Sequence, residues 1–178
     1  MMRHLAIRMT AIILSVGLSA AAQADLTLHQ KVQSGLAYRQ GGFTELFRIM
    51  LPLAEQGDRE AQSNIGAMYA QGMGVAQDSQ QALYWLHKAA EQGEASAQYH
   101  LGGMYLVGKG GIPQDLRLGA TWIRKSAQQG LSDAQYNLGR MYRQGVGVNR
   151  DLRQAEIWLR KAAEQGHKDA TQALQELQ

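Results

Sequence analysis

The chain is organised by an internal repeat of 36 or 37 residues. A first phrase reads EAQSNIGAMY at 60–69 and recurs as SAQYHLGGMY at 96–105 and DAQYNLGRMY at 133–142. A second phrase reads ALYWLHKAAEQG at 82–93 and recurs within 120–130 and at 155–166. Self-similarity at this period is typical of solenoid folds, in which each unit buries its apolar face against its neighbours.

Both phrases have the spacing of α-helices. In the first phrase Ala61, Ile65, Met68 and Tyr69 lie on one helical stripe, and the second phrase has an equivalent stripe around Trp85. Aspartates stand where the second helix of each unit begins, and Gln-Gly pairs stand where it ends. No stretch alternates long enough to be a strand. Each unit is therefore predicted to be two antiparallel helices, A and B, and the fold to be all-α.

Three kinds of residue recur at fixed repeat positions and are predicted to be structural. They are the glycines within the A helices, the tyrosines that follow them, and the tryptophans of the B helices: Gly66, Gly102, Gly139, Tyr69, Tyr105, Tyr142, Trp85, Trp122 and Trp158. Glycine within a helix costs about 1 kcal/mol relative to alanine. Its recurrence indicates a close approach of helix B, with a tryptophan or leucine over the gap; simple tolerance is the alternative. For the aromatic residues, the alternative to a place in the core is a ligand cage.

The repeats divide the chain into successive units. Three full units are predicted at 58–93, 94–130 and 131–166. A tighter helical hairpin at 25–57 caps their N-terminal side, and we expect Pro52 to kink its second helix. A single capping helix with a polar outer face is predicted at 167–178. This gives about nine helices.

Residues 1–24 have the three-part layout of a secretory signal peptide. Arg3, His4 and Arg8 precede an apolar run, and Ala22-Gln23-Ala24 offers a cleavage site. The alternative, a transmembrane anchor, needs about 20 apolar residues, and this run is shorter. We expect cleavage after Ala24, a periplasmic or secreted protein, and no stable membrane anchor in the mature chain.

The composition of the mature chain excludes several functional classes. Without residues 1–24 it has 16 basic and 15 acidic residues, so nothing indicates a nucleic-acid partner. It contains no cysteine, which excludes disulfides and thiol chemistry. We expect a monomer that is held together by packing alone.

The motifs L-G-x-M-Y, G-x-G-V and W-L-x-K-A-A-E-Q-G, in this order, resemble the Sel-1-like repeat family, a relative of the tetratricopeptide repeats. The resemblance implies a right-handed α-solenoid that acts as a protein-interaction scaffold. Bacterial members are often exported and act in envelope assembly, signalling or host contact. A cysteine-rich branch is associated with β-lactam binding or hydrolysis, but its repeats each carry a disulfide pair that this chain cannot form.

No pattern in the chain predicts catalysis, a metal site or a cofactor. The G-x-S-x-G and S-x-x-K motifs of serine hydrolases and β-lactamases are absent. The mature histidines are not spaced as metal ligands. His100 is interpreted as a polar structural residue, and His87, which aligns with Arg124 and Arg160, as part of a solvated face. Glu91 and Glu164 could be an acid–base pair, but as repeat copies near helix ends they are interpreted as solvated.

The loop GKGGIPQD at 108–115 superficially suggests a phosphate-binding loop. It aligns with GMGVAQD at 72–78 and GVGVNRD at 145–151, and Lys109 lies between the glycines with no serine or threonine after it. We therefore predict a helix-to-helix turn with one added residue, where the register of the repeat slips.

A partner is expected at repeat positions that vary along the A helices. Alignment with the tetratricopeptide pattern places these positions on the concave face: Tyr99, Leu106, Tyr136, Arg140 and Arg143. Tyrosine and arginine are enriched at interface hot spots. We hypothesise a protein segment with an acidic group near Arg140 and Arg143; the alternative is an ordinary solvated helix face. A β-lactam or peptidoglycan hydrolase and a periplasmic regulator of a membrane sensor remain as alternative functions.

Overall fold

A computed structural model describes residues 42–108 and 110–177, which form eight α-helices. They are α1 (Phe43–Glu55), α2 (Arg59–Gln71), α3 (Ser79–Glu91), α4 (Ala95–Val107), α5 (Leu116–Gln128), α6 (Ser132–Gln144), α7 (Leu152–Glu164) and α8 (Lys168–Gln175). The predicted signal peptide and the first helix of the predicted N-terminal hairpin lie outside the described residues. The prediction of an all-α solenoid of helix pairs is confirmed: α2, α4 and α6 are A helices, and α3, α5 and α7 are B helices. Helix α1 continues through Pro52 to Glu55.

The helix boundaries follow from capping residues in the sequence. The three B helices have aspartate N-caps: Asp78, Asp115 and Asp151. Each carboxylate accepts a hydrogen bond from a backbone N–H of the first turn at 2.9–3.0 Å. Each A helix ends at a left-handed glycine, as at Gly72 with φ of 70°. Gly93, which follows α3, is also left-handed with φ of 85°.

Close contact between the two helices of each repeat explains the glycines within the A helices. A Cβ on Gly66 would lie 2.7 Å from Leu86 Cγ, and one on Gly102 would lie 2.7 Å from Ile123 Cγ1. A Cβ on Gly139 would lie equally close to Leu159. The predicted close approach is confirmed, and the side chain over the gap is a buried leucine or isoleucine in all three repeats.

A buried glutamine near the start of each A helix joins that helix to the preceding repeat. Gln98, only 5% exposed, donates from Nε2 to the carbonyl oxygen of Ala90 at 3.1 Å. Its Oε1 accepts a hydrogen bond from Gln129 Nε2 at 2.8 Å. The same two bonds recur around Gln62 and Gln135. Each of these carbonyl groups also accepts a backbone N–H at the end of its own helix, so the glutamine adds a second hydrogen bond to it. The two bonds give the buried glutamine amide a donor contact and an acceptor contact.

The loop at 108–115 does not shift the register of its helix pair. The N–H of Asp115 donates to the carbonyl oxygen of Tyr105 at 2.9 Å, and the equivalent bonds of Asp78 and Asp151 measure 3.0 and 2.9 Å. A Cβ on Gly110 would collide with Ser79 at the start of α3, as one on Gly74 would collide with the start of α1. Gly110 therefore takes the place of Gly74, and the loop absorbs the added residue as Gly111. The prediction of a register slip was wrong because the closing hydrogen bond holds both helix ends.

The adjacent glycines Gly102 and Gly103 provide a matched test of the packing. Gly102→Ala would force a methyl group against Ile123, and overpacking of this kind costs about 1–3 kcal/mol. That cost exceeds the gain in helix propensity of about 1 kcal/mol. We expect Gly102→Ala to lower the free energy of unfolding by about 1 kcal/mol, measured by urea denaturation followed by circular dichroism.

The control is Gly103→Ala, because a Cβ there has no atom within 4 Å. We expect this variant to raise the free energy of unfolding by about 1 kcal/mol. A shift of the same sign in both variants would contradict the proposed role of Gly102.

Candidate functional site

Three equivalent positions on the A helices form a surface that we call the A-helix face. Each position is filled once in α2, once in α4 and once in α6. The residues are Ser63, Tyr99 and Tyr136; Ala67, Gly103 and Arg140; and Ala70, Leu106 and Arg143. The five site residues predicted from the sequence all belong to this face.

Two of the predicted residues are engaged in packing between helices. The Tyr99 hydroxyl accepts a hydrogen bond from Asn137 Nδ2 at 2.9 Å, which joins α4 to α6. Burial raises the pKa of Tyr99, and the Asp133 carboxylate raises it further. Leu106 packs over Gly119 of α5, where a Cβ would lie 2.8 Å from its Cγ. Both side chains are half-buried, so they contribute to the shape of the face more than to its free surface.

Tyr136 and Arg140 form a stack with the start of α8. The Tyr136 ring stacks on the His167 ring at an interplanar angle of 28°, with centroids 4.5 Å apart. The Arg140 guanidinium lies 5.6 Å from the Tyr136 centroid. His167 Nδ1 caps α8 by accepting from the N–H of Ala170, and His167 Nε2 lies 3.3 Å from Asp133 Oδ1. The stack therefore fixes Tyr136 and places an exposed guanidinium beside it.

The two predicted arginines differ in their partners. Arg143 Nη1 forms an ion pair at 2.9 Å with Glu176, the C-cap of α8, and this bond lowers the pKa of Glu176. Arg140 has no ion-pair partner among residues 42–108 and 110–177. An acidic ligand would thus meet one unpaired arginine on this face and one that is already neutralised.

Gly103 is a feature of the face that the sequence analysis did not single out. Of the five glycines inside the described helices, it alone has no atom within 4 Å of the point where a Cβ would lie. It occupies the position of Ala67 and Arg140 in the neighbouring repeats, so packing does not explain it. In the sequence, Gly103 could have been found by aligning it with Ala67 and Arg140, because it is a glycine where the other two repeats carry a side chain.

His87 is not solvated, contrary to the sequence-based interpretation. It is half-buried, its Nε2 lies 2.8 Å from the Tyr105 hydroxyl, and its ring meets the edge of Trp122 at 5.9 Å. Arg124 similarly donates to the Tyr142 hydroxyl at 3.2 Å. The interpretation failed because the next repeat packs over this position. The burial lowers the pKa of His87, and Glu91 partly offsets the effect.

The other candidate residues are structural or exposed. His100 Nδ1 lies 2.8 Å from the carbonyl oxygen of Ser96 within its own helix. The tryptophans belong to three separate core clusters, which excludes a shared cage: Trp85, Trp122 and Trp158. Trp85 and Trp122 are buried and Trp158 is half-buried. A lysine lies over each tryptophan ring at 4.0–5.6 Å: Lys88, Lys125 and Lys161.

The tyrosines at the predicted core positions are half-buried, since each reaches back to the preceding unit. Tyr69 packs edge-on against Phe47 of α1. The hydroxyls of Tyr105 and Tyr142 contact His87 and Arg124 of the preceding B helices. Glu91 and Glu164 are exposed at the ends of α3 and α7.

No group of three or more metal-ligating side chains occurs in the described part of the chain. Within the same residues, no helix has the length and apolar character needed to cross a membrane.

Stacked pairs of 13-residue helices, joined by buried glutamines and by glycine–aliphatic contacts, define a repeat protein of the α-solenoid class. The chain belongs to the Sel1 repeat family: the Sel1 repeat matches residues 59–94, 95–131 and 132–167. These repeats begin one residue later than the units predicted from the sequence. The protein is therefore a Sel1 repeat scaffold protein.

Solved bacterial structures share the fold. A Sel1 repeat protein from Oxalobacter formigenes is 30% identical with a TM-score of 0.76, over 82% of this chain and 57% of that one. A protective antigen of uropathogenic Escherichia coli strains with an SLR fold is 38% identical with a TM-score of 0.71, over 85% of this chain and 34% of the antigen. The chain thus spans only part of the length of either relative. Helicobacter pylori cysteine rich protein B, 23% identical over 80% of this chain and 95% of its own, shares the fold with a TM-score of 0.54. A search among curated proteins found no match.

The half-buried position of His87 predicts a pH-dependent stability. The unfolded residue binds a proton near its ordinary pKa of 6.5, whereas the folded residue binds one only at lower pH. The unfolded state therefore binds more protons in this range, and the free energy of unfolding falls as the pH drops below about 6.5. We expect His87→Gln, which can keep a hydrogen bond to Tyr105, to lose part of this dependence.

The measurement is urea denaturation of both proteins between about pH 7.5 and pH 5.5. An identical pH dependence of the wild-type protein and the variant would show that burial does not disfavour the charged form of His87.

Proposed function

We propose that this scaffold is a non-catalytic adaptor of the bacterial cell envelope that binds a segment of a partner protein on its A-helix face. The observation that carries the proposal is the guanidinium of Arg140, which has no ion-pair partner among the described residues. It is exposed, and it stands beside a tyrosine that is fixed by stacking. A guanidinium binds carboxylates through two parallel hydrogen bonds, so the partner segment is expected to carry an acidic residue at this point.

The residues that precede Arg140 along the A-helix face support a bound segment that crosses the A helices. Ala67, Gly103 and Arg140 occupy one repeat position in successive A helices. The face is therefore lined by a methyl group, then bare backbone, then a cation. Glycine lets another backbone approach closely. A segment that crosses the A helices could thus lie against Gly103 and place its carboxylate at Arg140.

The envelope location is part of this proposal. It is supported by the signal-peptide pattern of residues 1–24 and by the bacterial origin of the similar structures, one of which is described as a protective antigen. A periplasmic regulator of a membrane sensor would use the same face, because restraining a sensor also requires a bound protein segment.

The proposal is tested by selecting random phage-displayed peptides on the mature chain, residues 25–178. We expect the enriched peptides to share an acidic residue. Arg140→Glu is expected to weaken their binding at least about tenfold, because a hydrogen bond to a charged group contributes about 1.5–3 kcal/mol. Isothermal titration calorimetry with one enriched peptide provides the measurement.

The matched control is Arg117→Glu, which reverses an exposed charge on α5 and should leave the affinity unchanged. Gly103→Ala should weaken binding although it stabilises the helix. Replacing the acidic residue of the peptide by lysine should restore binding to Arg140→Glu. Equal affinity of the wild-type protein and Arg140→Glu would refute the proposed site.

A further inference from the structure

One exposed strip on α7 lies outside the A-helix face. It comprises six residues that line a shallow groove: Arg153, Glu156, Ile157, Arg160, Lys161 and Glu164. All six are exposed, and their spacing puts them on a single side of the helix. Ile157 is 46% exposed, which is high for an aliphatic side chain in this protein. Glu156 and Arg160 also border a groove of about 370 Å³ with Leu174 of α8 and with Leu177, which follows that helix.

The equivalent strips of α3 and α5 are partly covered by the repeat that follows. His87 and Arg124 contact the tyrosine hydroxyls of the next A helix. Ala120, the equivalent of Glu156, is buried. In α7 the Arg160 guanidinium instead binds Glu156 of the same helix at 2.5 Å, and both side chains are more than half exposed. No described residue covers this strip.

The charges on the strip are complementary to those of a second, antiparallel copy. If the helices pair about a two-fold axis between residues 158 and 159, Arg153 of each copy lies opposite Glu164 of the other. Glu156 then lies opposite Lys161. With a rise of 1.5 Å per residue, the two Ile157 side chains lie about 4.5 Å apart along the axis and can make contact. Such a pairing is an isologous interface, in which one patch meets itself.

The other B helices lack this pattern. The strip of α5 has Arg117, Arg124 and Lys125 but no acidic residue, so an antiparallel copy in the same register would offer none of these cations an opposite charge. The strip of α3 carries a single lysine and a single glutamate, Lys88 and Glu91. The complementarity therefore belongs to α7 and is not a general property of the repeat.

We propose that the protein forms an antiparallel homodimer through this strip of α7. The proposal replaces the monomer that was expected from the sequence. One helix pair buries less area than a standard interface, so the dimer is weak and depends on concentration. The strip does not include Gly103 or Arg140, so dimerisation leaves the A-helix face available and would present it twice, which increases the avidity for a repeated partner.

The test is sedimentation equilibrium of the mature chain from about 5 to about 500 µM, a range suited to a weak complex. The wild-type protein is expected to dimerise in this range, and less so at high salt because exposed charges are screened. Arg153→Glu places like charges opposite each other at two symmetric points. We expect it to raise the dissociation constant at least about tenfold.

The charge-swapped double variant, Arg153→Glu with Glu164→Arg, separates pairing from any effect on folding. It restores opposite charges between the copies and should recover the wild-type dissociation constant. Arg117→Glu on α5 is the control and should leave dimerisation unchanged. A monomeric wild-type protein, an unaffected Arg153→Glu variant, or a folded double variant that stays monomeric would each overturn the proposal.

Discussion

The buried glutamine at the start of each A helix is the interaction on which the stacking of repeats depends. The side chain of this glutamine is buried, and a buried polar group without a hydrogen bond costs about 1–3 kcal/mol. Gln98 finds its acceptor in the Ala90 carbonyl across the repeat boundary, and Gln129 holds the Gln98 amide in its orientation. Since the same pair of bonds recurs at Gln62 and Gln135, each repeat is placed on the preceding one in the same way.

This construction separates structural positions from variable ones. Gly102 and Ile123 fix the distance between two helices of one repeat, and Gln98 fixes the step to the preceding repeat. Neither constraint involves the position that is filled by Ala67, Gly103 and Arg140. That position can therefore change from repeat to repeat without a cost in packing, and differences in recognition can accumulate there. The same separation leaves the exposed strip of α7 free to differ from those of α3 and α5.

The sequence predicted the elements that depend on local chemistry. Apolar periodicity located the helices, Asp78 and its equivalents located their starts, and the glycine at 102 correctly indicated a close approach. It did not reveal contacts that depend on how repeats stack. A buried glutamine such as Gln98 looks like a surface residue in a helical pattern, and His87 looks solvated until Tyr105 is placed over it. The pairing of Arg143 with Glu176 likewise depends on where α8 docks, so the sequence could not distinguish Arg143 from Arg140.

The central claim is that the protein acts as a scaffold through its A-helix face, and site-specific photocrosslinking in cells that naturally produce it tests this most directly. A photoreactive phenylalanine analogue would replace Val107, which is 65% exposed on α4 one turn after Gly103, or Tyr84, which is 49% exposed on the B helix α3. We expect a discrete adduct with an envelope protein from position 107 and none from position 84. Adducts from position 84 alone would contradict a partner site on the A-helix face and place the partner on the opposite side of the solenoid.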